Sequence, residues 1–221
     1  MLAQDSMAQA IAYDLRRDIL RGILMPGDTI KERENAEKRG VSRTPMREAI
    51  RILAQEGLVQ LRPLRSPVVA NPSLRDIIDQ VRVLHSLEIL SGELACGSAT
   101  QAEISRIGHL KDEIDRLCDI VDSVDLFELD MQFHAAIVAA SHNQALIETH
   151  RAYMARLWRA RYLSARIRRS RRRVLRQHGA IHQALAARNP RRIKAEIGAH
   201  FASMYKNIES HFKTAGDRSG N

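Results

Sequence analysis

The chain has 221 residues, room for two small domains, and a formal net charge of +9. Hydrophobic residues make up 44% and aromatics 4%, which supports real cores and favours helices over sheets. Two cysteines, Cys96 and Cys118, are too few for a disulfide framework or a zinc finger. No apolar run approaches the roughly 18 residues of a membrane span and no signal peptide opens the chain, so no membrane partner and a cytoplasmic location are expected.

Residues 1–6 read as a loose start. Residues 7–21 have Ile11, Leu15 and Ile19 on one helical face, and Gly22 stands where a C-cap belongs. A turn-rich connector follows, Ile23-Leu24-Met25-Pro26-Gly27-Asp28, and then a second helix over 30–39. Gly40 and Val41 make a turn. Ser42 is placed to cap the next helix, and Pro45 falls in its first turn, where a missing N–H costs little. Met46, Ala49, Ile50 and Leu53 recur at spacings of three and four, so one face packs inward. The N-terminal outer face carries Arg43, Thr44 and Arg47. Arginine can bridge guanine O6 and N7 in the major groove, and Ser or Thr can hold phosphate.

The string Val41-Ser42-Arg43-Thr44-Pro45-Met46-Arg47-Glu48-Ala49, with Glu56-Gly57-Leu58-Val59 after it, strongly resembles the winged helix-turn-helix of GntR-type bacterial transcription regulators. The resemblance covers about residues 8–70. It implies double-stranded operator DNA as partner, with contacts carried by Arg33, Ser42, Arg43, Thr44, Pro45 and Arg47. The chain departs from the motif at Asn35 and Arg39, where apolar residues are usual. Buried unpaired, these two would cost a few kcal/mol, so they either reach solvent or leave the helix loosely packed.

Gly57 ends the third helix. Leu58-Val59-Gln60-Leu61 and Pro67-Val68-Val69-Ala70 read as short strands around the basic loop Arg62-Pro63-Leu64-Arg65-Ser66. This is the wing, with Arg62 and Arg65 able to meet phosphate or the minor groove. Ser66 replaces the family's usual glycine. Asn71-Pro72-Ser73 breaks the strand, and helical patterns follow over 74–97, 101–122, 124–141, about 143–164, about 168–188 and 190–213. The first carries Ile77, Ile78, Val81, Leu84, Leu87, Leu90 and Leu94. Thr214 to Asn221 is polar and read as frayed. The expected architecture is mainly α: a winged helix-turn-helix over 1–70, a linker at 71–75, an all-helical bundle of about six or seven helices over 76–213, and a disordered tail over 214–221.

Asp130 and His134 are four residues apart on one helix, so they share a face. His178 and His200 lie on two later helices. Three imidazoles and a carboxylate suit Zn²⁺, Ni²⁺ or another first-row divalent ion. With nine histidines in the chain, isolated surface or hydrogen-bonded core histidines are the bland alternative. This spacing resembles the FCD ligand-binding domain of the FadR subfamily. That resemblance implies that Asp130, His134, His178 and His200 bind a metal that helps hold a small carboxylate effector. His182 is a possible substitute ligand, Glu196 a possible outer partner, and Gln177 replaces a glutamate often found before that histidine.

Residues 151–176 hold eleven arginines and no acid. A solvated helix end and loop is the favoured reading, with a second nucleic-acid surface as another. Arg156 and Arg159, flanking Trp158, are candidates to anchor the effector carboxylate. The expected function is a ligand-responsive regulator, most often a repressor in this family, binding a palindromic operator as a homodimer. A metal-dependent enzyme and a non-specific basic DNA-binding protein are the alternatives. No paired metal-and-base motif supports the enzyme.

Overall fold

In the computed structural model, which describes residues 2–166 and 171–219, the chain forms ten helices and one two-stranded sheet. They fall into two units, residues 1–73 and 74–221.

The first unit runs α1 (Leu2–Arg21), α2 (Glu32–Lys38), α3 (Arg43–Gln55), β1 (Val59–Arg62) and β2 (Arg65–Val69). Helix α1 begins earlier than position 7, since no proline or glycine interrupts residues 2–6. Leu15 and Ile19 of α1 and Met46, Ile50 and Leu53 of α3 are fully buried, each contributing about 1.5–3 kcal/mol by leaving water. Asn35 and Arg39 are neither loose nor unpaired. Asn35 Nδ2 donates to the Lys31 carbonyl at 3.0 Å. Arg39 donates to Asn35 Oδ1 at 3.0 Å and to Asp18 Oδ2 of α1 at 2.7 Å. A polar clamp between α1 and α2 thus stands in for the usual apolar contact.

The turn between α2 and α3 passes through Gly40 at φ +63, a conformation that most side chains resist. In the wing, Val59 pairs with Val69, Gln60 with Val68 and Arg62 with Arg65, antiparallel. The strands therefore reach farther than expected, and the loop shrinks to Pro63-Leu64. The left-handed residue of that turn is Leu64, at φ 55. The connector before α2 joins the hairpin edge: Thr29 bridges Val68, and Ile30 N–H donates to the Pro67 carbonyl at 2.8 Å.

The second unit comprises α4 (Leu74–Ser98), α5 (Gln101–Leu117), α6 (Ser123–Ala139), α7 (Gln144–Arg156), α8 (Trp158–Ala165), α9 (Arg171–Ala186) and α10 (Pro190–Ser219). Helix α4 starts at Leu74, so the irregular link is shorter than 71–75. Helix α5 stops at Leu117, and Ile120 beyond it is 72% exposed. The single helix expected over 143–164 is two, broken at Leu157 (φ −93, ψ 2) with no proline or glycine to announce it. The expected start of the next helix at 168 lies outside the described residues. Helix α10 continues to Ser219, through most of the stretch read as a tail.

The core of this unit draws Val81 and Leu84 from α4, Ile107 from α5, Phe133 from α6, Leu185 from α9 and Phe201 from α10. Helices α4 and α10 approach closely at Gly92, where an added Cβ would lie 2.8 Å from Ile197 Cδ1. Leu90 and Leu94, expected inside, are 44% and 38% exposed. They share an outer face of α4 with Val83, because the inner face is taken by Glu88, Ser91 and Ala95.

Candidate functional site

Three helices deliver three histidines to one buried point. His134 comes from α6, His178 from α9 and His200 from α10, and their ring centroids are 5.0–5.4 Å apart. One ligand nitrogen from each falls within 4.8 Å of the others. Asp130, one turn before His134, places Oδ1 3.2 Å from His178 Nε2 and 3.9 Å from His134 Nε2. All four residues named from the sequence are therefore together.

These groups do not satisfy one another. His134 Nε2, Asp130 Oδ1 and both ring nitrogens of His178 are buried without a hydrogen-bond partner. Orphaned buried polar atoms each cost about 1–3 kcal/mol, so Asp130 Oδ1, His134 Nε2 and His178 Nε2, gathered within 3.9 Å of the carboxylate oxygen, call for a shared ligand. A tetrahedral ion with bonds of about 2.0–2.2 Å spaces its donors about 3.4 Å apart, a modest contraction of the present cluster. Burial holds the His178 imidazole down to about 4 despite the nearby Asp130 charge. Burial, with His134 and His178 beside it, also pushes His200 well below the usual range. Both rings are thus neutral at pH 7 and offer lone pairs. Imidazoles with one carboxylate are the donor set of Zn²⁺ or Ni²⁺, and the residues present fit such an ion.

The supporting groups differ from expectation. His182 turns away to the Ile104 carbonyl, 3.2 Å from its Nε2, and packs on Gly108 of α5, so it is no substitute ligand. Glu196 lies 3.9 Å from Arg192 on its own helix and is not an outer partner. Gln177 does reach the site, with Oε1 3.4 Å from His200 Nδ1 and its amide donating to the Ala199 carbonyl at 3.0 Å. Sequence reasoning missed Glu88 of α4. Its Oε2 lies 2.8 Å from His134 Nδ1, and its Oε1 accepts from Arg161 Nη1 at 2.8 Å and lies 3.4 Å from His150 Nε2. Desolvation alone would raise the Glu88 carboxyl, but His134 and Arg161 outweigh it and hold it well below the carboxylate range. The available signal was a glutamate four residues after Leu84, on the apolar face of α4. Arg161 corrects the reading of the basic stretch as solvated: it is 3% exposed.

A cleft opens beside Asp130. Its walls include Ile114, Leu126, Phe127, Tyr162 and Leu175, with Arg166 also lining it. The Tyr162 hydroxyl is 2.9 Å from Ser123 Oγ, and the Arg166 guanidinium stands 5.6 Å over the Tyr162 ring. A mostly apolar cleft with Asp130, which adjoins the histidines, and the Arg166 guanidinium in its lining suits a small organic acid. Arg156 and Arg159 are not among its lining. Arg156 is exposed, its guanidinium 5.5 Å over the Tyr153 ring, and Arg159 is half-buried with Nε unpartnered.

In the first unit, Ser42, Arg43, Thr44 and Arg47 are exposed on the N-terminal face of α3. Ser42 is the N-cap residue, but its side chain makes no capping bond. Pro45 is buried in the first turn of α3, where its missing N–H costs little. Arg47 Nε is 3.4 Å from Glu32 Oε2, and Arg33 pairs with Glu37 at 2.8 Å. Arg62 folds back on the hairpin, donating to the Ser66 carbonyl at 2.7 and 2.9 Å, while Arg65 is exposed.

Two family models match the chain. Residues 7–69 match "Bacterial regulatory proteins, gntR family", and residues 79–203 match the FCD domain. The chain belongs to the GntR regulators that carry an FCD domain. Among similar proteins, the HTH-type transcriptional repressor RspR of Escherichia coli is 27% identical, with 90% of this chain and 88% of that one covered. The Nta operon transcriptional regulator of Aminobacter aminovorans is 31% identical, covering 83% and 85%. The Glc operon transcriptional activator of Escherichia coli is 27% identical, covering 91% and 89%. The fold resembles Escherichia coli McbR/YncC, with a TM-score of 0.80 at 20% identity over 93% of this chain and 98% of that one. This GntR–FCD protein is accordingly a DNA-binding transcription regulator and not an enzyme. No helix among its described residues is long and apolar enough to cross a membrane.

Proposed function

We propose that this regulator acts in the cytoplasm as a homodimer on a palindromic operator, and that a small organic acid bound beside a divalent metal sets its affinity for DNA. The observation that carries this reading is the set of three unpartnered buried atoms, Asp130 Oδ1, His134 Nε2 and His178 Nε2, beside the cleft that reaches Arg166. His134, His178, His200 and Asp130 would hold the ion, Zn²⁺ or Ni²⁺ by donor type. The ion supplies a Lewis-acidic position for a carboxylate. The chain's own part is to enclose the apolar body of the acid between Phe127 and Leu175 and to meet a second anionic group with Arg166. The operator contacts proposed are Arg33, Ser42, Arg43, Thr44, Arg47, Arg62 and Arg65.

A single winged helix reads few base pairs, so tight binding calls for two half-sites and a two-fold protein. The exposed stripe Val83, Leu90 and Leu94 on α4 supports a self-associating face. We infer repression, the sign carried in the name of the Escherichia coli relative RspR. The test combines elemental analysis of gently purified protein with fluorescence anisotropy on operator DNA, with and without a panel of small mono- and dicarboxylates. Stoichiometric metal and an affinity change of about 5–150-fold for one acid are expected. Absence of metal, or an unchanged affinity throughout the panel, would overturn the proposal. Light scattering that gives a 25.0 kDa species at operator-binding concentrations would remove the dimer. Activation of a reporter by the protein would reverse the assigned sign.

A further inference from the structure

The three histidines are not held alike. His178 Nδ1 has no hydrogen-bond partner, and His200 Nδ1 faces the neutral Gln177 amide at 3.4 Å. His134 Nδ1 alone faces a carboxylate, Glu88 Oε2 at 2.8 Å. That carboxylate is 4% exposed and cannot be stabilised by water. Arg161, 3% exposed, donates to its other oxygen at 2.8 Å, and His150 lies 3.4 Å from the same oxygen. Four helices, α4, α6, α7 and α8, thus spend four buried polar side chains on one arrangement. An isolated carboxylate in such a place would be strongly disfavoured, and the guanidinium makes it tenable as an anion.

The chemical consequence falls on His134. A carboxylate only accepts, so His134 must place its proton on Nδ1 and present a lone pair at Nε2. Nε2 is the buried, unpartnered atom that faces Asp130, with His178 and His200 packed beside the ring. We propose that Glu88, held in place by Arg161, is the positioning residue of the metal centre, fixing the tautomer and orientation of His134 and making it the strongest of the three imidazole ligands. This rests on the metal reading above. Glu88 does not itself touch the ion.

The test compares wild type with Glu88→Gln and with the double variant Glu88→Gln/Arg161→Met. The double variant removes both charges together and leaves no buried ion unpaired, which protects the fold if the single variant is lost. Zinc affinity is read by competition with a chromophoric chelator. The His134 tautomer in metal-free protein is read by long-range ¹H–¹⁵N correlation. Zinc binding weaker by about 10–100-fold, with Nε2 of His134 gaining proton occupancy, is expected in both variants. A role limited to core packing would lower the melting temperature without moving either readout. Variants with zinc affinity within about two-fold of a zinc-binding wild type, against that expected range, overturn the inference alone. A wild type that takes up no zinc overturns the metal reading and the inference together.

Discussion

Arg16 of α1 grips Glu56, the C-cap residue of the helix proposed to enter the major groove, through Nε at 3.1 Å and Nη2 at 2.6 Å. The pair is largely shielded, with side chains 18% and 24% exposed. It fixes the end of α3 opposite to the one proposed to meet DNA. Arg16→Ala should destabilise the first unit by about 1 kcal/mol, a midpoint shift of several degrees for a domain of this size. Calorimetry should show that shift with metal content unchanged. An unaltered thermogram would mean that the pair contributes nothing net.

On DNA, Arg43 and Arg62 should separate. Arg43 is exposed on the N-terminal face of α3, whereas Arg62 is committed to the Ser66 carbonyl. Arg43→Ala should cost about 1–3 kcal/mol for the operator and relax base preference, and Arg47→Ala should behave similarly. Arg62→Ala should weaken operator and random DNA alike, through the shape of the wing. Anisotropy on both DNAs at fixed salt measures this. Arg43→Ala and Arg47→Ala proteins that both bind like wild type would remove α3 from the groove.

Metal should also be visible as stability. An ion that binds only the folded state at 100 times its dissociation constant adds about 2.7 kcal/mol. Chelation, or His134→Ala with His178→Ala, should therefore lower the melting temperature of the helical unit and abolish the response to the acid. Operator binding should persist, since the contacts proposed for it lie in residues 1–73. A melting curve indifferent to EDTA, Zn²⁺ and Ni²⁺ would return these histidines to ordinary core residues.

Acid should weaken the metal-free protein through His178. Its folded value is about 4, against an ordinary 6.5. Between those values the unfolded chain binds a proton that the folded chain refuses, so stability is intact above about 6.5 and falls as pH drops toward 4. The full effect is about 3 kcal/mol, and His200 acts in the same direction. Urea midpoints of EDTA-treated protein from pH 7.5 to 5 should decline, and less so for His178→Ala. A flat wild-type series would show that the imidazole is not held neutral by burial.

Much of this was legible in the residues. The spacing of Met46, Ala49, Ile50 and Leu53 marked the inner face of α3, and the interval from Asp130 to His134 put both on one face of α6. Local chemistry reached less far where the decision is tertiary. Asn35 and Arg39 looked like defects because their partner Asp18 lies on another helix. Arg161 looked like one more surface charge because Glu88 is 73 positions away. Arg156 and Arg159 were chosen by neighbourhood to Trp158. The break at Leu157 redirects the chain, and it is Arg166 that lines the cleft.

Gly92 gives the helical unit a fixed gauge. It stands one turn beyond Glu88 on α4 and meets Ile193 and Ile197, which precede His200 on α10. The separation of those two helices is therefore set by a hydrogen atom where any other residue would insert at least a methyl. Since α10 delivers one proposed ligand and α4 the support of another, the calibre of the proposed ion site is a property of that crossing as much as of its ligands. Widening the scaffold for a larger cation begins at position 92, a residue that touches no metal.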